Sequence, residues 1–264
     1  MNDVGTDASA MPQEAAPILT LNGVGKSFGA VTVLQDIDLD VRRGETLGLI
    51  GPNGAGKTTL FNLIGGLHAP DTGRIRFRGG DLAPRSPAAR ARMGLVRTFQ
   101  KSLVFPELSV QDNIAIAVRA SQGTGYSLRR SAHVLARSHA LSLIDTSPLK
   151  GRHAESVSGL SYGEQRIVDI LIALAQKPLL LLLDEPTAGL ADTEARTLLA
   201  LVRRQHARIS IVLISHDIDI VFQTCDRVAV LDLGKLLVVD APRNVVEHPA
   251  ARAAYLGQLS GIAS

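Results

Sequence analysis

The sequence has no tryptophan, a single cysteine and only 3% aromatic residues among 264. So few aromatics exclude a stacking platform for single-stranded nucleic acid, which needs successive ring faces. A lone Cys225 excludes an intramolecular disulfide and suits a reducing compartment; it reads as a buried, inert thiol. Neither charge sign dominates: 28 Lys and Arg face 25 Asp and Glu, a net of +3. That balance gives little electrostatic pull toward nucleic acid, and no nucleic-acid partner is expected. No segment reaches the roughly 18 consecutive apolar residues of a membrane span. The nearest, IVDILIALAQKPLLLLLD, is interrupted by Asp169, Gln176, Lys177 and Pro178. Residues 1–16 show neither the basic start nor the apolar core of a secretory leader and read as a disordered tail. The chain is expected to be soluble, with any membrane role exercised through a partner.

What is present is periodic. QDIDLDV alternates Asp36, Asp38 and Asp40 with Ile37, Leu39 and Val41, and GRIRFRG alternates Arg74, Arg76 and Arg78 with Ile75 and Phe77. Both spacings predict half-buried strands. Their opposite charges are expected to pair across a sheet, with two solvated faces as the alternative. TLGLI, LLLLLD and ISIVLIS are unbroken apolar runs, as in parallel strands covered on both faces. TTLFNLIGGL reads as a helix ending near Gly65 and Gly66. SYGEQRIVDILIALAQ and DTEARTLLALVRRQHA read as further helices, and RVAVLDLGKLLVVD as a hairpin turning near Gly234. Residues 101–160 are mostly helical in pattern and read as an inserted subdomain, with SQGTGYS as a loop.

Several short motifs carry chemistry. GPNGAGKT, after an apolar strand and before a helix, fits G-x-x-x-x-G-K-[ST]. Glycines there let the backbone wrap a polyphosphate closely, and the helix offers its positive end. Gly51, Asn53, Gly54, Ala55, Gly56, Lys57, Thr58 and Thr59 are therefore candidate nucleotide contacts. Lys57 is expected to reach the β- and γ-phosphates, and Thr58 to offer its hydroxyl to Mg²⁺. The run LLLLLDEP ends in Asp184, a candidate Mg²⁺ ligand through water, and Glu185, placed to polarise an attacking water. ISIVLISHD places His216 just past another buried strand, as a candidate γ-phosphate contact. LVRTFQ ends in Gln100, a candidate for Mg²⁺ and water at the start of the helical insert. LSYGEQ sets Ser161 and the backbone of Gly163 at a helix N-terminus, a second anion site. One chain has no need of it; it makes sense if it caps a nucleotide on another copy. His68, His133, His139, His153, His206 and His248 lack such a setting and are expected at the surface.

In this order and spacing, these elements resemble the ATP-binding subunits of ABC transporters over about residues 17–258. The resemblance implies an α/β fold: a P-loop NTPase core with a mostly parallel sheet, an antiparallel β subdomain and an inserted helical subdomain. The core takes 17–100 and 161–264, and the insert 101–160 faces the membrane partner, with KSLVFPELSV near the contact. It also implies ATPase activity with ATP and Mg²⁺ in a head-to-tail dimer. Each ATP then lies between GPNGAGKT of one chain and Ser161, Gly163 and Gln165 of the other. Phe28, in KSFGA, matches the aromatic beneath the adenine; a core phenylalanine is the alternative. ARMGLVRTFQ, LSYGEQR and HPAARAAYLG look like the subunits for branched-chain amino acid import or for related small solutes. Such importers join two ATPase chains, identical or different, to integral membrane subunits and an extracytoplasmic solute-binding protein. The ATPase chains are peripheral on the cytoplasmic face. The chain departs from the pattern at Tyr162 and Glu164 in the signature and at Ser215 before His216. At Ala191, an acidic or Asn residue is usual, and Asp192 comes one position late. A second reading is an ABC-type ATPase acting on ribosomes or DNA. The single ATPase unit and lack of heptads speak against it. In a P-loop kinase or GTPase, LSYGEQ has no job.

Overall fold

A computed structural model describes residues 16–98, 104–121, 130–204 and 209–254. The tail before Ala16, Gln100, the loop after Ser121, His206 and the residues after Ala254 lie outside them. The central six-stranded sheet is built from the apolar runs: β3 (Thr46–Ile50), β6 (Leu95–Arg97), β7 (Leu180–Asp184), β8 (Ser210–Ile214), β9 (Arg227–Asp232) and β10 (Lys235–Asp240). Its order is β10-β9-β3-β8-β7-β6. All neighbours are parallel except β9 and β10, the hairpin turned by Leu233 and Gly234, both at positive φ. Every residue of β3, β7 and β8 is buried, as expected of strands covered on both faces.

Strand alternation sorts the leucine run between two apolar layers. Leu180 and Leu182 face a layer shared with α1 (Lys57–Gly65) and a second, antiparallel sheet. Leu181 and Leu183 face a layer holding α3 (Val110–Ser121), α4 (Arg130–Asp145), α5 (Tyr162–Ala175), α6 (Asp192–Arg203) and α7 (Ile218–Thr224). Both α3 and α4 pack on α5, so the helical segment shares one continuous core with the sheet. Cys225 is buried in that layer. The chain closes with α8 (Pro242–Glu247) and α9 (Pro249–Ala254) against β10.

The antiparallel sheet contains β1 (Leu19–Phe28), β2 (Val31–Val41), β4 (Thr72–Phe77) and β5 (Gly80–Asp81), in the order β2-β1-β4-β5. This overturns the expected pairing of the aspartate and arginine rows. Both strands flank β1, and Thr20 stands opposite Asp40 on one side and Arg76 on the other. The aspartates find other partners: Asp38 accepts the Gly23 N–H at 2.8 Å, and Asp40 pairs with Arg227 at 3.1 Å. The surface assignment of the histidines holds for His68 and His133, whereas His139, His153 and His248 are half-buried. Among the described residues, no helix is long and apolar enough to cross a membrane.

Candidate functional site

Open parallel sheets leave a crevice beyond the carboxyl ends of their strands. Here the adjacent strands β3, β8 and β7 deliver, in that order, the loop from Gly51, then Ser215 and His216, then Asp184 and Glu185. A cavity of about 360 Å³ opens there, lined by Val33, Asn53 through Thr59, Asp184, Glu185 and Ile214. It joins the loop to both acidic residues.

The loop needs its glycines for room. A Cβ on Gly51 would lie 2.1 Å from the Leu231 carbonyl oxygen. Gly56, at φ 104°, would press one 2.7 Å from the Leu34 side chain just before α1 begins. That tight path brings the N-terminal end of α1 to the cavity, where its unpaired N–H groups suit an anion. Lys57 folds back onto the loop and donates to the carbonyls of Gly51 (2.6 Å) and Pro52 (3.0 Å). Burial holds its pKa below the usual lysine value, an effect that Glu185 and Asp184 only partly offset.

Glu185 sits at φ 49°, a left-handed conformation that costs a non-glycine residue about 1–3 kcal/mol. Its N–H donates to the Ile214 carbonyl at 3.0 Å, and its Oε2 lies 2.6 Å from His216 Nδ1. An ionised carboxylate only accepts, so Nδ1 carries the proton in this pair. The other ring nitrogen remains for a further contact, on a side chain that is 72% exposed. Asp184 is nearly buried. Its Oδ2 accepts from Arg97 Nη2 at 2.9 Å, while Arg97 Nη1 donates to Asn62 Oδ1 at 2.6 Å. Sequence reasoning passed over Arg97, although it lies three residues before Gln100 in the same motif.

Phe28 ends β1 and is 45% exposed, which removes the core-phenylalanine alternative. His68 meets it edge-on at 5.3 Å between centroids, and Lys26 Nζ lies 5.4 Å from its centroid. Phe28 pairs with Val31, two residues before the cavity-lining Val33.

Ser161, Gly163 and Gln165 do not line the cavity. Ser161 caps α5 in a reciprocal box: its Oγ accepts the Glu164 N–H, and Glu164 Oε2 accepts the Ser161 N–H. This gives the unusual Glu164 a local purpose, and Arg152 offsets its charge. The Ser161 hydroxyl proton is not used by the cap. Gln165 Nε2 donates to the carbonyls of Val157 and Leu160, so its amide nitrogen braces its own chain. Gly163 is covered by Glu194, and Tyr162 packs beside Gly189. Glu194 also accepts the N–H of Ala191, which sits at the N-cap of α6.

The donors available to a metal suit Mg²⁺. Thr58 and Asp184 put hard oxygens on one cavity, and no group of three or more His, Cys, Asp or Glu side chains forms a closed metal site among the described residues. Few protein ligands, with phosphate oxygens and water supplying the rest, is how Mg²⁺ is usually held.

Residues 34–188 match the family described as ABC transporter. The chain is 36% identical over 251 residues to the high-affinity branched-chain amino acid transport ATP-binding protein LivG of Salmonella typhimurium, covering 92% of this chain and 98% of that one. It is 32% identical over 253 residues to the corresponding protein BraF of Pseudomonas aeruginosa, with the same coverage. Among solved structures, a nucleotide-free ATP-binding cassette from an ABC transporter superposes with a TM-score of 0.80 at 27% identity, covering 92% of this chain and all of that one.

Proposed function

The chain belongs to the ABC transporter family of ATP-binding cassettes, which are ATPases, and from that premise we propose that it powers an importer of branched-chain amino acids or a related small solute. The observation that carries the ATPase reading is Glu185, lining the phosphate-loop cavity and hydrogen-bonded to His216. The named relatives carry the solute class.

In the proposed reaction the triphosphate of ATP lies along the loop, facing its backbone N–H groups and the start of α1. Lys57 leaves the carbonyls of Gly51 and Pro52 for the β- and γ-phosphate oxygens. Water attacks the γ-phosphorus as Glu185 takes its proton. The bond to the bridging oxygen breaks, and ADP leaves with the electron pair. His216 orients Glu185 through Nδ1 and, when both ring nitrogens carry protons, donates the other N–H to a γ-phosphate oxygen. Thr58 and Asp184 would hold Mg²⁺, with Gln100 as a further contact, and the ion would neutralise charge on the phosphate oxygens. Phe28 stacks on the adenine.

Ser161 and Gly163 serve a nucleotide on a second ATPase chain, packed head to tail. Their separation from the cavity supports this, because in a chain acting alone they would not meet the nucleotide of its own loop. Residues 101–160 meet integral membrane subunits, so the chain works peripherally at the inner face. A solute-binding protein acts only through those subunits.

Glu185→Gln tests the proposal. The amide keeps a hydrogen bond to His216 but cannot take a proton, so ATP should bind while hydrolysis falls about 10²–10⁴-fold. An ATP-dependent dimer should then accumulate on a sizing column. A monomer under those conditions refutes the sandwich, and wild-type turnover refutes the base. Co-purified membrane subunits support the importer; co-purified ribosomes or DNA support the other reading.

A further inference from the structure

Arg97 is a largely covered cation beside the nucleotide cavity that the reaction above does not use. Its side chain is 9% exposed and that of Asp184 is 8% exposed. The guanidinium joins three elements. It comes from β6, donates to Asp184 at the end of β7, and donates to Asn62 on α1. It also lies 5.6 Å from the Phe61 ring centroid. Two hydrogen bonds and a ring contact hold it in one place, so the charge beside Asp184 is permanent rather than borrowed from solvent.

The charge pattern is informative. Lys57, Asp184 and Glu185 line the cavity, and Arg97 stands behind Asp184. Among the described residues, two cations meet two carboxylates here. A divalent cation entering alone would meet, directly or through its water, a carboxylate whose charge is already matched. A triphosphate alters this, because it brings several negative charges and its own oxygen ligands. Arg97 engages Oδ2 of Asp184, which leaves Oδ1 for a ligand in the cavity.

We propose that Arg97 is the resident counter-cation of Asp184, a positioning residue that keeps the pocket from taking a divalent cation until a nucleoside triphosphate arrives. Metal then enters with the nucleotide and not before it. The inference rests on the reading of Asp184 as the metal-side carboxylate. A merely structural Arg97, fastening α1 to the sheet, would leave metal affinity unchanged.

The test uses the full chain and Mn²⁺ without nucleotide, with free Mn²⁺ read by electron paramagnetic resonance. Wild type should leave Mn²⁺ essentially free. Arg97→Met should bind it at least about tenfold more tightly, the lower end of what one neighbouring unit charge does to a carboxylate's proton affinity. Arg97→Lys, which keeps the charge, should behave as wild type. Arg97→Gln should behave as Arg97→Met; it keeps the position polar and uncharged and carries the test if the methionine variant does not fold by circular dichroism. Adding Asp184→Asn to either should abolish the new site. The proposal is overturned if the folded, uncharged variants bind Mn²⁺ within twofold of wild type, if Arg97→Lys binds it as they do, or if the double variant still does. The functional reading is scored separately: wild type that fails to bind a fluorescent ATP analogue with Mg²⁺ refutes that reading. Normal analogue binding with unchanged Mn²⁺ affinity refutes the counter-cation alone.

Discussion

Replacing Arg90 by methionine is expected to loosen the helix that follows the phosphate loop. Arg90 lies in α2 (Pro87–Arg92), far from the chemistry, and is only 3% exposed. Its guanidinium donates to four backbone carbonyls: Leu63 at 2.6 Å, Ile64 at 2.8 Å, Leu82 at 2.8 Å and Arg85 at 2.9 Å. The first two belong to the last turn of α1, where helix geometry leaves carbonyls without partners. A cation there also complements the negative end of the helix. Burial lowers the guanidinium's pKa and nearby Asp81 raises it back, so the charge is held in place by these acceptors and not by one tight ion pair. Methionine fills much of the volume and supplies no donor. Each carbonyl left buried and unpaired costs about 1–3 kcal/mol. The Leu63 carbonyl keeps the Gly66 N–H at 3.2 Å and the Leu82 carbonyl keeps the Arg85 N–H at 2.9 Å, so those two losses are partial. The losses are not additive; with the Ile64 and Arg85 carbonyls losing the guanidinium outright, about 2–6 kcal/mol is the expected total. That is a large share of the roughly 5–15 kcal/mol that holds a domain folded. Urea unfolding followed by circular dichroism gives the number. Hydrogen exchange should locate the weakness at the end of α1 and lower nucleotide affinity with it. Arg90→Lys should recover little, because one ammonium cannot span four carbonyls in the guanidinium plane. A methionine variant within about 1 kcal/mol of wild type, with α1 equally protected, would refute the reasoning.

Other perturbations separate the parts of the site. Lys57→Ala should abolish detectable binding of a fluorescent ATP analogue while leaving the unfolding midpoint nearly unchanged, since among the described residues Lys57 bonds to loop carbonyls alone; retained affinity would remove Lys57 from the phosphate site. Phe28→Ala should weaken the same analogue by about 1–3 kcal/mol, the usual worth of a base–aromatic stack. Phe28 is 45% exposed, so its loss should cost little stability, and an unchanged affinity would place the base elsewhere. Gly51→Ala should cost at least about 1–3 kcal/mol, because the new methyl meets the Leu231 carbonyl and backbone yields less readily than a side-chain tip; a calorimetric melt at the wild-type temperature would contradict that contact.

The phosphate loop, the acidic pair, the histidine and the signature helix were legible because each is a local backbone event. A glycine pattern, a helix start and a buried strand's end are each written in about ten consecutive residues. The alternation of the leucine run even anticipates two apolar layers. Where long polar side chains go is another matter. Arg97 and Asp184 are 87 positions apart, and Arg90 reaches carbonyls 26 and 27 positions away. No spacing rule links them. The same limit explains why the aspartate and arginine rows were paired wrongly: both patterns are correct for half-buried strands, but β1 lies between them. Glu164, odd as a signature residue, became a cap partner only once the turn before α5 was in view. By itself, then, the sequence determined that this chain belongs to an ATP-binding family and marked the glycine-rich loop that we propose holds the nucleotide, because that pattern is written in contiguous residues. The strand order, the cations behind Asp184 and at the end of α1, and the separation of the signature from the cavity were decided by tertiary packing. Those contacts depend on which distant segments share an edge or a layer, and that is settled only when the whole core closes.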